Sequence, residues 1–117
     1  MATYEDALRA LRDDFGHEDF RPGQDEAVRA VMDGRDVLAI MPTGGGKSVV
    51  YQVPAIAMGG MAICVSPLIS LMKDQVDQLK AIGLRPAFLN SSLTSRQQEI
   101  VLQRAAAGAY QIMYVAP

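Results

Sequence analysis

The chain has 117 residues, half of them apolar, with a formal net charge of −2. That is enough for one domain with a buried core; no apolar run reaches the roughly 18 residues of a membrane span, and no signal-peptide pattern opens the chain. A single cysteine, Cys64, excludes an internal disulfide and suits a reducing, cytoplasmic setting; inside its apolar run it reads as a small buried hydrophobe. Charge is uneven. Residues 1–46 carry five Arg against ten acids, and residues 47–117 carry six cations against three acids. The second part is the side expected to meet a polyanion, although an ordinary mixed surface has the same look.

The opening "TYEDALRALRDDF" pairs Thr3 with Asp6 as a capping box and sets Ala7, Leu8, Leu11 and Phe15 on one stripe. Gly16 ends that helix. A second helix is expected from Pro22 to about Asp33, with Ala27, Val28, Val31 and Met32 as its stripe and Gly34 as its stop. The pattern then changes. "DVLAIM" (36–41), "MAICVS" (61–66), "PAFLN" (86–90) and "QIMYV" (111–115) are short apolar runs suited to strands covered on both faces. Helices are expected between them. One covers 47–57. A second covers 67–82, with Leu68, Leu71, Met72, Val76, Leu79 and Ile82 on one stripe. A third covers 95–107, starting at Thr94 or Ser95 with Gln97 or Gln98 completing a capping box. Strand–helix alternation gives an α/β fold, a parallel sheet between two helical layers. The strand at 111–115 is expected at an exposed sheet edge, an aggregation risk.

The stretch "MPTGGGKSVVYQ" (41–52) stands between an apolar strand and a helix. Gly44, Gly45 and Gly46 let backbone N–H groups approach phosphate oxygens without Cβ clashes. The helix that follows points its positive end at the same anion. Lys47 is placed to reach the β- and γ-phosphates and Ser48 to ligate Mg²⁺. Met41 occupies the position where the usual pattern begins with Gly. Hydrolysis also needs a carboxylate at a neighbouring strand tip. The later strands close with "VSP", "LNS" and "VAP" instead, and Asp74, Asp77 and Glu99 fall in helices. The chain also stops directly after a strand, so a chain cut short is expected.

From about Phe15 to Pro117 the sequence resembles the RecQ-type DNA helicases of superfamily 2. "FGHEDFRPGQ" (15–24) resembles their adenine-reading motif. "MPTGGGKS" (41–48) matches their phosphate loop, Met41 included. "VSPLISLMKDQV" (65–76), "LNSS" (89–92) and "YVAP" (114–117) resemble three further motifs of the first motor domain. The resemblance implies a P-loop, RecA-like domain, incomplete here: a helical segment over 1–35, then a partial ATP-binding domain over 36–117 lacking the acidic Mg²⁺ box. It implies that Gln24 reads the adenine edge and Arg21 stacks on its face, where residue chemistry alone makes Gln24 a solvated cap. His17 falls where the family often has a stacking aromatic ring; the alternative is a surface histidine. Met41, Pro42, Thr43, Gly44, Gly45, Gly46, Lys47 and Ser48 would hold the nucleotide. Ser66 reads as the cap of the helix expected over 67–82 and Pro67 as its first turn; N–H groups near Pro67 and Leu68, with Asn90 and Ser91 at the next strand tip, would hold single-stranded DNA.

The implied activity is ATP-driven translocation along single-stranded DNA and 3′-to-5′ unwinding, in DNA repair and recombination. The implied ligands are ATP, Mg²⁺ and single-stranded or junction DNA, with zinc possible in a missing C-terminal part and the bacterial cytosol as the setting. The piece alone is expected to be inactive. Two other readings stand beside this one. The first is a nucleotide- and DNA-binding module without motor activity. The second is a small-molecule kinase, which "GGGKS" allows and "VSPLISLMKDQV" argues against.

Overall fold

Thr3 starts the first helix, α1 (Tyr4–Asp13). Its hydroxyl accepts from the Asp6 N–H, and the Asp6 carboxylate accepts from the Thr3 N–H at 2.8 Å. Two donors that the helix cannot satisfy are closed reciprocally, as expected. These bonds, the Thr3 backbone N–H first, hold the Asp6 carboxyl below the ordinary aspartate value of 3.8. The computed structural model describes residues 2–41 and 46–117. Two units are distinct, one ending at Gly59 and one spanning Gly60–Pro117.

The first unit is helical. α1, α2 (Gln24–Met32) and α3 (Lys47–Met58) pack around Ala7, Leu11, Val28, Met32 and Val53. Burying each large aliphatic side chain stabilises by about 1.5–3 kcal/mol. Arg29 sits 3.8 Å above the Tyr4 ring, and Tyr4 meets Phe20 at 5.8 Å between ring centres. α2 begins two residues later than expected. Arg21–Gln24 form a turn closed by the Gln24 N–H on the Arg21 carbonyl at 3.0 Å. Pro22 takes its second position and Gly23, at φ 89°, its third, which is the chemistry of a type II turn.

Residues 36–41, expected as a strand, carry no regular structure. Leu38 is 88% and Ile40 89% exposed. An apolar run becomes a strand only when a neighbour takes up its N–H and C=O groups, and none among the described residues does so.

The second unit is a three-stranded parallel sheet in the order β1 (Ala62–Val65), β3 (Ile112–Val115), β2 (Pro86–Leu89). α4 (Ile69–Ala81) connects β1 to β2, and α5 (Ser95–Ala106) connects β2 to β3. The first crossover runs outward past the site of β3 and the second runs back. With the usual right hand, they put the two helices on opposite faces of the sheet. Ile112, Met113 and Tyr114 are buried in succession, as a strand covered on both faces requires. The expected α/β layering is therefore present.

Three expectations change in this unit. The 111–115 strand is central rather than an edge, because the last strand inserts between the first two. β1 is not covered on both faces: Ile63 and Val65 are exposed, and Cys64 between them is half-buried rather than buried. On α4 only Met72, Val76 and Leu79 are buried, while Leu68, Leu71 and Ile82 are exposed. The buried set is one narrow i, i+4, i+7 line, the width that a helix lays on a sheet. No helix among the described residues is long and apolar enough to cross a membrane.

Candidate functional site

The turn that starts α2 also aims Gln24. This residue is only 4% exposed. Its Oε1 accepts from the Arg21 N–H at 2.8 Å, and its Nε2 donates to the Gly46 carbonyl at 3.0 Å. A buried primary amide stays inside a fold only with such partners. Gln24 is thus no solvated cap. It ties the "RPGQ" turn to the residue before α3, 22 positions along the chain.

Gly46 has to be glycine. It adopts the left-handed conformation, φ 75° and ψ 40°, as the cap of α3. A Cβ built there would collide with Gln24 Nε2 and lie 3.8 Å from Arg21 Nη1. Both the backbone and the close approach exclude a side chain. His17, Asp19, Arg21, Gln24, Gly46, Leu11 and Val49 line a cleft of about 140 Å³. That is less than the roughly 300 Å³ at which whole-ligand sites begin, so the cleft suits one end of a larger molecule.

The loop that carries His17 is braced from α1. The His17 N–H donates to the Leu11 carbonyl at 3.1 Å. Arg12 donates through Nε to the Glu18 carbonyl at 2.7 Å and pairs with Asp19 at 3.1 Å. Sequence reasoning missed both Arg12 and Asp19. They sit seven residues apart across a turn, a spacing that carries no periodic signal.

Lys47 opens α3 and is exposed; Ser48 beside it and Met41 before the loop are half-buried. Pro42, Thr43, Gly44 and Gly45 lie outside the described residues. The start of α3 has no side-chain cap and no acidic residue in its first turn. A helix end of this kind carries partial positive charge, which suits an anion.

α4 has the same uncapped, acid-free start. It begins at Ile69, later than expected, so Pro67 is not in its first turn and Ser66 is not its cap. The Ser66 hydroxyl accepts from the Leu68 N–H at 3.1 Å, one step before the helix. The N–H groups of Ile69 and Leu71 turn back to Pro67 and Leu68. Among the described residues the Ser70 N–H has no such partner, so the open donor lies beyond Leu68, at a residue the motif reading did not single out.

Asn90 closes β2 and is 7% exposed. Its Oδ1 accepts from the Ser92 N–H at 2.8 Å and from the Ser92 hydroxyl, and its Nδ2 lies 3.3 Å from the Met72 sulfur. Gln98 Nε2 reaches the Asn90 and Leu93 carbonyls. The Asn90 side chain therefore shapes the turn, and exposed Ser91 is its outward residue. Since β1 and β2 both run parallel to β3, Ser66–Leu68 and Asn90–Ser91 lie at the same end of the sheet. Tips of parallel strands are where open α/β sheets bind ligands.

A family model described as DEAD/DEAH box helicase matches residues 21–117. The chain is 49% identical to the ATP-dependent DNA helicase RecQ of Haemophilus influenzae over 95% of its own length. It is 50% identical to the ATP-dependent DNA helicase RecQ of Bacillus subtilis over 88%. It is 40% identical to the ATP-dependent DNA helicase Q-like 4B of Arabidopsis thaliana, also over 88%. The chain spans 18% of the length of each bacterial relative and 9% of the plant one.

Proposed function

Because the chain belongs to the DEAD/DEAH box helicase family, we propose that it forms the nucleotide-gripping part of an ATP-driven DNA helicase of the RecQ kind. The whole protein would couple ATP hydrolysis to 3′-to-5′ movement along single-stranded DNA and to duplex unwinding, in repair or recombination. The observation that carries this reading is the Gln24 amide joining Arg21 to Gly46. It joins Arg21 and Gln24, which would meet the base, to the start of α3, which would face the phosphates.

The residues fit ATP and Mg²⁺. The cleft is lined by Gln24, whose amide carries both a donor and an acceptor, the two functions that the edge of adenine requires. The lack of a Cβ at Gly46 lets the Gln24 amide come this close to the start of α3. Arg21 and His17 would flank the base. Lys47 and the amides at the start of α3 would hold the β- and γ-phosphates, and Ser48 would hold Mg²⁺. When bound, Mg²⁺ supplies charge neutralisation on the phosphate oxygens. The chain's own share is positioning: the open end of α3 and the Lys47 ammonium offer fixed positive charge where the terminal phosphate would leave. Ser70 at the open start of α4, and Ser91 beyond β2, would meet the phosphates of single-stranded DNA. Such contacts are blind to sequence and weaken with salt.

The test is ATP turnover of the whole protein with and without single-stranded DNA. Wild type is expected to be stimulated by DNA. Lys47→Ala is expected to lose about a hundredfold or more in turnover with an unchanged melting temperature, since Lys47 is exposed. Unaltered turnover would remove the role given to Lys47.

A further inference from the structure

β2 pairs on one side only, with β3. α4 and α5 flank it, and along its open side runs a cleft of about 450 Å³. The walls are apolar: Val76 from α4, Leu84 before the strand, Phe88 within it and Val101 from α5. Three cations, Lys80, Arg85 and Arg104, line the same cleft, and no acid does.

Those three cations differ from the others in their unit. Lys73 pairs with Asp77 at 3.3 Å, and Arg96 meets Glu99 at 4.0 Å. Among the described residues, Lys80, Arg85 and Arg104 have no carboxylate within ion-pair distance, and all three are exposed. The Arg85 backbone is fixed at the mouth of the cleft. Its N–H donates to Gln111 Oε1 at 2.9 Å, and its carbonyl accepts from the Gln111 N–H at 2.8 Å. Lys80 and Arg104 stand in the last turns of α4 and α5. Each helix end contributes roughly half a negative charge. Two ends offset about one of the three positive charges and leave the cleft positive.

We propose that this cleft is a docking site for an acidic peptide segment that carries an apolar anchor. The anchor would fill the space between Val76, Phe88 and Val101, and flanking carboxylates would meet Lys80, Arg85 and Arg104. Apolar depth with a cationic rim is how acidic motifs are held. The strand itself adds little backbone pairing. Arg85 and Leu89 direct their carbonyls to β3, so alternation turns Pro86 and Phe88 to the open edge, where Pro86 has no N–H to give. A nucleic acid fits less well, because phosphates gain nothing from an aliphatic cavity. The cleft runs from Arg85 and Tyr110, at the N-terminal ends of β2 and β3, to Leu93 beyond the other end of β2.

The experiment uses the whole protein and a fluorescein-labelled peptide of alternating Asp and Leu with one central Phe, followed by anisotropy. Wild type is expected to bind it and to ignore the same peptide with Asn in place of Asp. Arg85→Glu and Arg104→Glu are each expected to weaken binding about tenfold, and a peptide with Lys in place of Asp should bind the double variant. That charge-swapped rescue shows that the double variant is folded. DNA-stimulated ATP turnover should be unchanged in both single variants, which separates this site from the one assigned to the nucleotide. Failure of the peptide to bind, or binding that the reversals leave unaltered, would overturn the proposal. So would a labelled oligothymidylate whose affinity the reversals lower while the peptide stays unbound, since the cleft would then be a nucleic-acid surface.

Discussion

Two kinds of helix start are present in this chain. α1 and α5 close their own first turns with capping boxes, Thr3 with Asp6 and Thr94 with Gln97. α3 and α4 have neither a side-chain cap nor an acid in the first turn. α2 falls between, with no cap but with Asp25 and Glu26 in its first turn. A first turn leaves four N–H groups without helical partners. Where the chain provides for them, the helix is scaffolding. Where it does not, the helix end keeps its positive charge, and at α4 the Ser70 N–H is the donor without a backbone partner among the described residues; these two starts lie at the phosphate loop and the "VSPLIS" motif.

The comparison can be broken most severely at Gly46. Gly46→Ala forces an L-residue into the left-handed region and drives a methyl into Gln24 Nε2. The strain alone costs about 1–2 kcal/mol. Displacing the Gln24 amide adds about 1–3 kcal/mol, the cost of an unsatisfied buried polar group. Urea unfolding should show the summed loss, and nucleotide affinity, read with a fluorescent ATP analogue, should fall about tenfold or more. Leu68→Asp sharpens the contrast instead. Leu68 is exposed at the N-cap of α4, so a cap and a negative charge there should stabilise the chain by about 0.5–1 kcal/mol. The same change should weaken single-stranded DNA binding, measured by anisotropy, because the cap competes with phosphate.

Thr94→Ala is the matching control on a closed helix. It should cost about 1 kcal/mol of stability and leave nucleotide and DNA affinity alone. The smallest effect concerns pH. The Asp6 carboxyl is depressed by the Thr3 bonds, so its contribution is complete above the ordinary value of 3.8 and is lost as pH falls through the lower folded value. Thermal melts of wild type and Asp6→Asn should differ near neutral pH and converge below that range.

What was legible in the sequence was local. Both capping boxes, the glycine stops and the buried faces of α1 and α2 follow from spacing within one turn. The strand order was not legible. Nothing in "QIMYV" says that it inserts between two earlier strands, because an apolar run records burial and not its neighbours. "DVLAIM" reads as a strand for the same reason, yet a strand is made by its ladder. Gln24 sits at the boundary of what local reading reaches. Its chemistry alone suggested a solvated helix start, whereas the structure buries it, its amide spanning from Arg21 to Gly46. Asn90 shows the converse. Its place at a strand tip suggested an outward role, while its side chain is spent on Ser92 and Met72.

A crystal structure of the whole protein with Mg²⁺ and a non-hydrolysable ATP analogue tests the central claim most directly. The account predicts the triphosphate tail at the uncapped start of α3, within reach of Lys47, and the base beside Gln24 and Arg21. An analogue bound at another place, with the start of α3 bare, would contradict it.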